Sequence, residues 1–295
     1  MTGAHTIPEV ATLQNTLRKV IAPGWLLIAP FLLLLVVLYL GPILNILWLS
    51  LTDPTPGLGN YHKLVTSDSL MRIIWTTMRI CLVTTVFSVL IGYCIAYAMV
   101  HTHEQRRSLM LSLLLISFWI SVLVRTFSWL MLLGNNGLVN NSLEAMNVIS
   151  EPIAFVRNEL GVLIGMVHYM VPYAVLPLLA NMQGLDPRLV QASRNLGASG
   201  AQTFFRVYLP LTRPGLVAAS LLVFILSLGF YVTPAILGGG KVLMVAEYIS
   251  VQLLVTLQWG TAAMLAALML FGVMALLYIM SRFMKLSTAF GGASS

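Results

Sequence analysis

Residues 185–215 read LDPRLVQASRNLGASGAQTFFRVYLPLTRPG. This stretch carries Arg188, Arg194, Arg206 and Arg213 in a chain that is otherwise built from long apolar runs. Lipid solvates arginine poorly, so the stretch belongs in water between two membrane spans. Its punctuation is that of a folded segment. Asp186 is a good N-cap and Pro187 a good first helical residue. Leu189, Ala192, Ser193 and Leu196 then form a narrow apolar or small stripe, with Arg188, Gln191, Arg194 and Asn195 opposite. Gly197 stops the helix as a left-handed residue would. Ser199 can cap a second short helix, 200–208, that carries Phe204, Phe205, Val207 and Tyr208. Leu209-Pro210 is expected to end it, and Pro214 to start the next span. The spacing predicts helix, tight turn, helix, lying along the membrane. Ala192, Ser193, Gly197 and Ala198 are small enough to admit a partner closely. The same pattern would also suit helices resting on lipid headgroups.

Around this stretch the chain of 295 residues is 59% hydrophobic and 8% charged, with a mean hydropathy of +0.92. A soluble domain carries about 25% charged residues. This is therefore an integral membrane protein, all-α, a polytopic bundle. The net charge of +7 is scattered over span ends rather than gathered into a nucleic-acid patch, so no nucleic-acid partner is expected. Cys81 and Cys94 share one apolar run and make no metal or redox motif.

A span needs about 20 apolar residues. Six runs qualify, at about 25–51, 74–100, 109–133, 160–182, 214–237 and 253–281. The first is too long for the h-region of a cleavable signal. The runs are continuous, which rules out a strand barrel. With the N-terminus inside, the cytoplasmic cations are Arg18, Lys19, Arg106, Arg107, Arg188, Arg194, Arg206, Arg213, Arg282 and Lys285. The outer ones are Lys63, Arg72, Arg157 and Lys241. That excess places both termini inside. The chain divides into a cytoplasmic segment (1–24), a six-span domain (25–284) with its cytoplasmic loop (185–213), and a tail (285–295). In the outer segment 134–159, Leu138, Leu143, Met146 and Ile149 recur at helical spacing, which predicts a short interfacial helix.

Every acidic residue, from Glu9 to Glu247, falls in a loop or at a span edge. Proton-driven carriers rely on carboxylates inside the membrane, and none is expected here. No GxxxxGK[ST] phosphate loop occurs; Gly238-Gly239-Gly240-Lys241 has the wrong spacing and reads as an outer turn. No catalytic or metal-ligating set is visible. If this chain serves active transport, the energy enters through another subunit, and 185–213 is the place for that subunit to grip.

Gln191-Ala192-Ser193, Gly197 and the later Phe204, Leu209-Pro210 resemble the EAA loop of ABC importer permeases, E-A-A-x-x-x-G followed by I-x-L-P. Gln191 stands where that family usually has Glu. Arg125-Thr126-Phe127-Ser128-Trp129, Asn136-Gly137-Leu138-Val139-Asn140 and Gly229-Phe230-Tyr231-Val232-Thr233-Pro234-Ala235-Ile236-Leu237-Gly238-Gly239 are similar to the first permease of spermidine/putrescine importers. The resemblance implies a type I ABC importer permease fold and no enzyme activity on this chain. It implies ATP and magnesium on a separate ATP-binding cassette ATPase dimer. The implied partners also include a second permease subunit, forming a heterodimer, and a periplasmic solute-binding protein. It implies the inner membrane of a bacterium and a small organic cargo such as a polyamine, with an opine, an amino-acid derivative or iron as alternatives. The competing class is a stand-alone secondary carrier or channel.

Along the spans, Arg125 lies about 24 Å into the third, by the helical rise, and Arg79 near the outer end of the second. Either could snorkel to headgroups or serve the path; Arg125 could also bind a carbonyl cluster. Thr233-Pro234 frees a backbone carbonyl and bends the fifth span beside Phe230 and Tyr231. Tyr169 follows His168 in the fourth. The candidate path or gate residues are Arg125, Trp129, Tyr169, Phe230, Tyr231, Thr233 and Pro234, whose aromatic faces suit ammonium groups. Packing at a kink explains them as well.

Overall fold

A computed structural model describes residues 24–291, with side chains described from 28 to 282. Arg18, Lys19, most of the segment 1–24 and the side chain of Lys285 lie outside the described residues.

Two long helices form the centre. The first, α4 (Asp68–Val100), starts where Ser67 Oγ accepts from Leu70 N–H. The second, α8 (Glu159–Gln183), starts where Asn158 Oδ1 accepts from Gly161 N–H at 3.0 Å. They pack along their length, and α12 (Arg213–Leu228) packs on both. Lipid tails are as apolar as leucine, so close packing rather than hydrophobic exclusion holds such helices together. The sequence supplies the small residues that this needs. A Cβ on Gly92 would come 2.8 Å from the Ala174 side chain, and one on Gly215 would come 2.7 Å from that of Asn181.

The first span is α1 (Gly24–Leu35), a π-turn (Val36–Leu40) and α2 (Gly41–Thr52). Pro42 has no N–H to give to the preceding turn, and the π-turn just before it absorbs the mismatch. α2 packs on the last span, α15 (Trp259–Gly291). Asp53 Oδ2 accepts the Gly260 N–H at 2.6 Å, which ties the outer ends of these two spans. Between α2 and α4 lies α3 (Gly59–Thr66), a short outer helix not predicted from the sequence.

The third and fifth runs are not single helices. The third divides into α5 (Glu104–Trp119) and α6 (Val122–Leu133), with extended backbone at Ile120 and Ser121. The fifth stops at Gly229 and resumes as α13 (Val232–Gly238), because Pro234 cannot donate to the carbonyl of residue 230. Among the described residues, five helical segments are long and apolar enough to cross a membrane, and a sixth counts if Gly200–Leu211 and Arg213–Leu228, bent by 60°, are one span. The predicted outer helix is present as α7 (Leu138–Ala145). Asn140 fixes it: its amide donates to Gly134 O and Ile153 O, and its Oδ1 accepts from Ile153 N–H. The glycine run is the expected turn, with left-handed Gly239 (φ 56°) and Gly240 (φ 76°). It leads to α14 (Val245–Leu254), too short to span.

Candidate functional site: the cytoplasmic loop and the broken spans

The cytoplasmic loop folds as its punctuation dictates. α9 (Pro187–Asn195) starts with Asp186 Oδ1 accepting from Arg188 N–H at 2.9 Å. Gly197 takes φ +84°. Ser199 and Gln202 close a reciprocal capping box over α10 (Gly200–Thr203). The second helix then departs from expectation. It does not end at Leu209-Pro210 but runs through a π-turn (Phe204–Tyr208) and α11 (Leu209–Leu211) before bending at Thr212 into α12. The π-turn precedes Pro210 as the earlier one precedes Pro42, for the same reason.

This loop has two sides. Inward, Ser193 Oγ donates to Thr203 Oγ1 at 3.0 Å, and Val190 and Phe204 pack on the core between α4 and α8. Outward, Leu189, Ala192 and Leu196 share one helix face, and Leu196 is 89% exposed. Gln191 and Phe205 are exposed as well. Ser193 is thus not on the outward stripe where the sequence placed it; its hydroxyl turns in to a partner. Phe204 is an anchor rather than part of the outer surface.

The anchor is an aromatic cluster that the sequence reading did not single out on α4. Tyr93, Tyr97 and His101 recur at i, i+4 and i+8, a signal that was available. Tyr97 meets Phe204 edge-on at 5.7 Å, Tyr208 at 5.3 Å and His101 at 4.1 Å. The Tyr93 hydroxyl bonds Thr212 Oγ1 at 3.0 Å, at the 60° bend. Burial pushes the Tyr208 phenol up to about 12. These contacts fasten the loop to the inner end of α4.

Arg125 is 8% exposed and turned to the break in the third span. Its guanidinium donates to the carbonyls of Ser117 and Ile120, which the missing helical turn leaves without partners. It also lies over the Tyr169 ring, 4.9 Å from the centroid. Of the readings open to Arg125, the carbonyl cluster is the one its geometry fits. Arg79 pairs instead with Glu159, at 2.6 Å. Tyr169 packs on Phe230 at 4.5 Å and stacks on Tyr173, and Phe118 meets Tyr173 at 4.9 Å. Thr126 Oγ1 and Thr233 Oγ1 are 3.2 Å apart, which joins the two broken spans just past their breaks. Trp129 lies one turn beyond Arg125, and its indole N–H donates to His168 Nδ1 at 3.1 Å. So Arg125, Tyr169, Phe230 and Thr233 converge, with Pro234 buried beside Thr233. Tyr231 sits in the break, exposed and away from the Tyr169 ring stack. The sequence puts Glu247 in a loop or at a span edge; in α14 it is only 7% exposed, and burial pushes it up to about 7.

Residues 88–286 match the family model described as binding-protein-dependent transport system inner membrane component. Over 209 residues the chain is 35% identical to the spermidine/putrescine transport system permease protein PotB of Haemophilus influenzae, covering 70% of this chain and 73% of that protein. It is 33% identical to the PotB protein of Escherichia coli over 224 residues, 75% of this chain and 81% of that one. Among solved structures, a bacterial ABC transporter that imports the acidic polysaccharide alginate superposes with a TM-score of 0.69 at 17% identity, over 94% of this chain and all of that one. A complex of an alginate transporter with its periplasmic protein gives 0.70 at 16%, over 92% and 96%. At that identity the likeness concerns the fold.

Proposed function

Because this chain belongs to the family of binding-protein-dependent transport system inner membrane components, a multi-pass inner-membrane permease of ABC importers and not an enzyme, we propose that it forms half of the path for a polyamine, spermidine or putrescine. The other half is a second, different permease. ATP and magnesium bind on a partner ATPase dimer, which grips Leu189, Gln191, Ala192, Leu196 and Phe205, with Gly197 and Ala198 setting the turn. Leu209 and Pro210 carry the motion on into α12. A periplasmic solute-binding protein delivers the cargo to the outer loops. The cargo assignment is supported by the identity to the PotB proteins, which are named for spermidine and putrescine.

In this reading the cluster of Arg125, Tyr169 and Phe230 is the gate. Tyr169 lies ten residues into α8, about 15 Å from its outer end, near the middle of a hydrocarbon core of about 30 Å. Thr233, Pro234 and Tyr231 form the second broken end, and Trp129 steadies Tyr169 through its neighbour His168. Two spans that are already interrupted can rock at their breaks without losing helical hydrogen bonds, since Arg125 holds the free carbonyls of one. The Phe204–Tyr97–Tyr208 cluster carries the push from the docked loop into α4 and α8.

The observation that carries the reading is the apolar stripe of α9, exposed beside a closely packed aromatic anchor. The test is uptake of labelled spermidine by liposomes that contain the complete complex, supplied with loaded binding protein outside and ATP within. Uptake that requires both supports the importer. Uptake by this chain alone without ATP identifies a carrier or channel instead. ATP-driven uptake of an opine, with none of spermidine, keeps the machine and overturns the cargo.

A further inference from the structure

A groove made of two successive cavities runs down the flank of the bundle between α4 and α8, its lower part also walled by Leu114 and Ser117 of α5 and Trp129 of α6. Its α4 wall is Arg72, Thr76, Arg79, Val83, Phe87 and Ile91, spaced three or four apart and so on one helix face. Its α8 wall is Glu159, Leu163, Val167 and Val171, each four apart. The outer part is a polar recess of about 300 Å³, roofed by Lys241 from the turn before α14. The part below is an apolar trough of about 590 Å³. The Arg79–Glu159 pair marks the boundary. Val83 and Leu163 lie one turn beneath it, about 6 Å.

The charge of the recess is unbalanced. Arg72, Arg79 and Lys241 share it with one carboxylate, Glu159, and Arg79 takes that one. Arg72 and Lys241 make no ion pair among the described residues. Ser69 and Thr76 add hydroxyls. The recess repels a cationic cargo and suits an anion with several oxygen acceptors. The trough has a matching length. From Arg79 to Ile91 is about 18 Å at the helical rise, against about 15 Å for half of the hydrocarbon core. An anionic head above an apolar tail of one leaflet's depth describes a phospholipid.

We propose that the α4–α8 groove is a binding site for an anionic phospholipid of the outer leaflet. Its phosphate sits at Arg72, Arg79 and Lys241, and one acyl chain lies along Val83, Phe87 and Val167. Selection comes from the head. A tail gains little by exchanging lipid for an apolar wall, whereas each cation near an anionic lipid favours it by a factor of roughly five.

The test places the complete complex in nanodiscs of equal phosphatidylglycerol and phosphatidylcholine, with a photoreactive benzoylphenylalanine in place of Phe87, an exposed residue of the trough. Irradiation should give a phospholipid adduct, with phosphatidylglycerol captured at least about fivefold over phosphatidylcholine. The combined change Arg72→Gln and Lys241→Gln should bring that ratio towards one while adduct formation continues. Both side chains are exposed, so these changes leave the bundle intact. Equal capture of the two lipids with Arg72 and Lys241 present overturns the proposal. So does an adduct to the second permease subunit, or no lipid adduct at all.

Discussion

The cytoplasmic loop and the broken spans are built by opposite rules. In the loop, order comes from neighbours in sequence: Asp186 caps α9, Gly197 turns left-handed and Ser199 with Gln202 caps α10. In the broken spans, order comes from side chains that reach across the bundle. Arg125 serves carbonyls eight and five residues back and lies over Tyr169, and Thr126 meets Thr233 in another span. Water surrounds the loop, so an unmade bond there is replaced cheaply. In the bundle it is not. The loop can therefore expose a docking face, while the bundle must satisfy every break.

The largest effect should come from Arg125→Met, which orphans the Ser117 and Ile120 carbonyls. We expect a loss of about 3 kcal/mol, read as a fall in melting temperature in detergent and as lost uptake, with Arg125→Lys intermediate. A variant that melts like the parent would show that the break needs no cap. Phe204→Ala removes the half-buried anchor and should cost about 2 kcal/mol. ATPase should still bind, yet ATP should be spent with little uptake; normal uptake per ATP would detach the aromatic cluster from coupling. Leu196→Asp should leave melting unchanged, because the side chain is 89% exposed. It should weaken ATPase binding about tenfold; unchanged binding by surface resonance would move the docking face elsewhere.

Glu247 offers a pH test. Burial raises its pKa from an ordinary 4.5 to about 7, so the folded chain holds that proton more tightly than the unfolded one. Its favourable contribution is whole below about pH 4.5 and is lost as pH rises through about 7. Glu247→Gln should therefore flatten the stability profile between those values, and its advantage over the parent should be largest above pH 7. The smallest effect should be that of Gln191→Glu, which restores the family's acidic residue on an exposed face. Less than about a threefold change in ATPase affinity is expected, and a larger gain would make charge, not shape, the basis of docking.

These outcomes bear on what a sequence can show. Local caps and the Gly197 turn are written in adjacent residues, so the loop was legible almost to the residue. What failed there was the facing of Ser193 and the extension past Pro210, both set by contacts with Thr203 and α12. The apolar runs gave the spans, and Pro234 gave one break. The other break, at Ile120-Ser121, has no proline or glycine to announce it. Its only trace is an arginine where lipid should be, and its partner Tyr169 lies forty-four residues away. Arg79 meets Glu159 across eighty residues, which hydropathy alone cannot pair.

The most direct measurement of the docking claim is deuterium exchange over residues 186–211, in the permease complex with and without its ATPase subunits. The account predicts that the ATPase slows exchange along α9 and around Phe205, and leaves the already anchored Tyr208–Leu211 nearly unchanged. Protection confined to 208–211, or none within the loop, would contradict it.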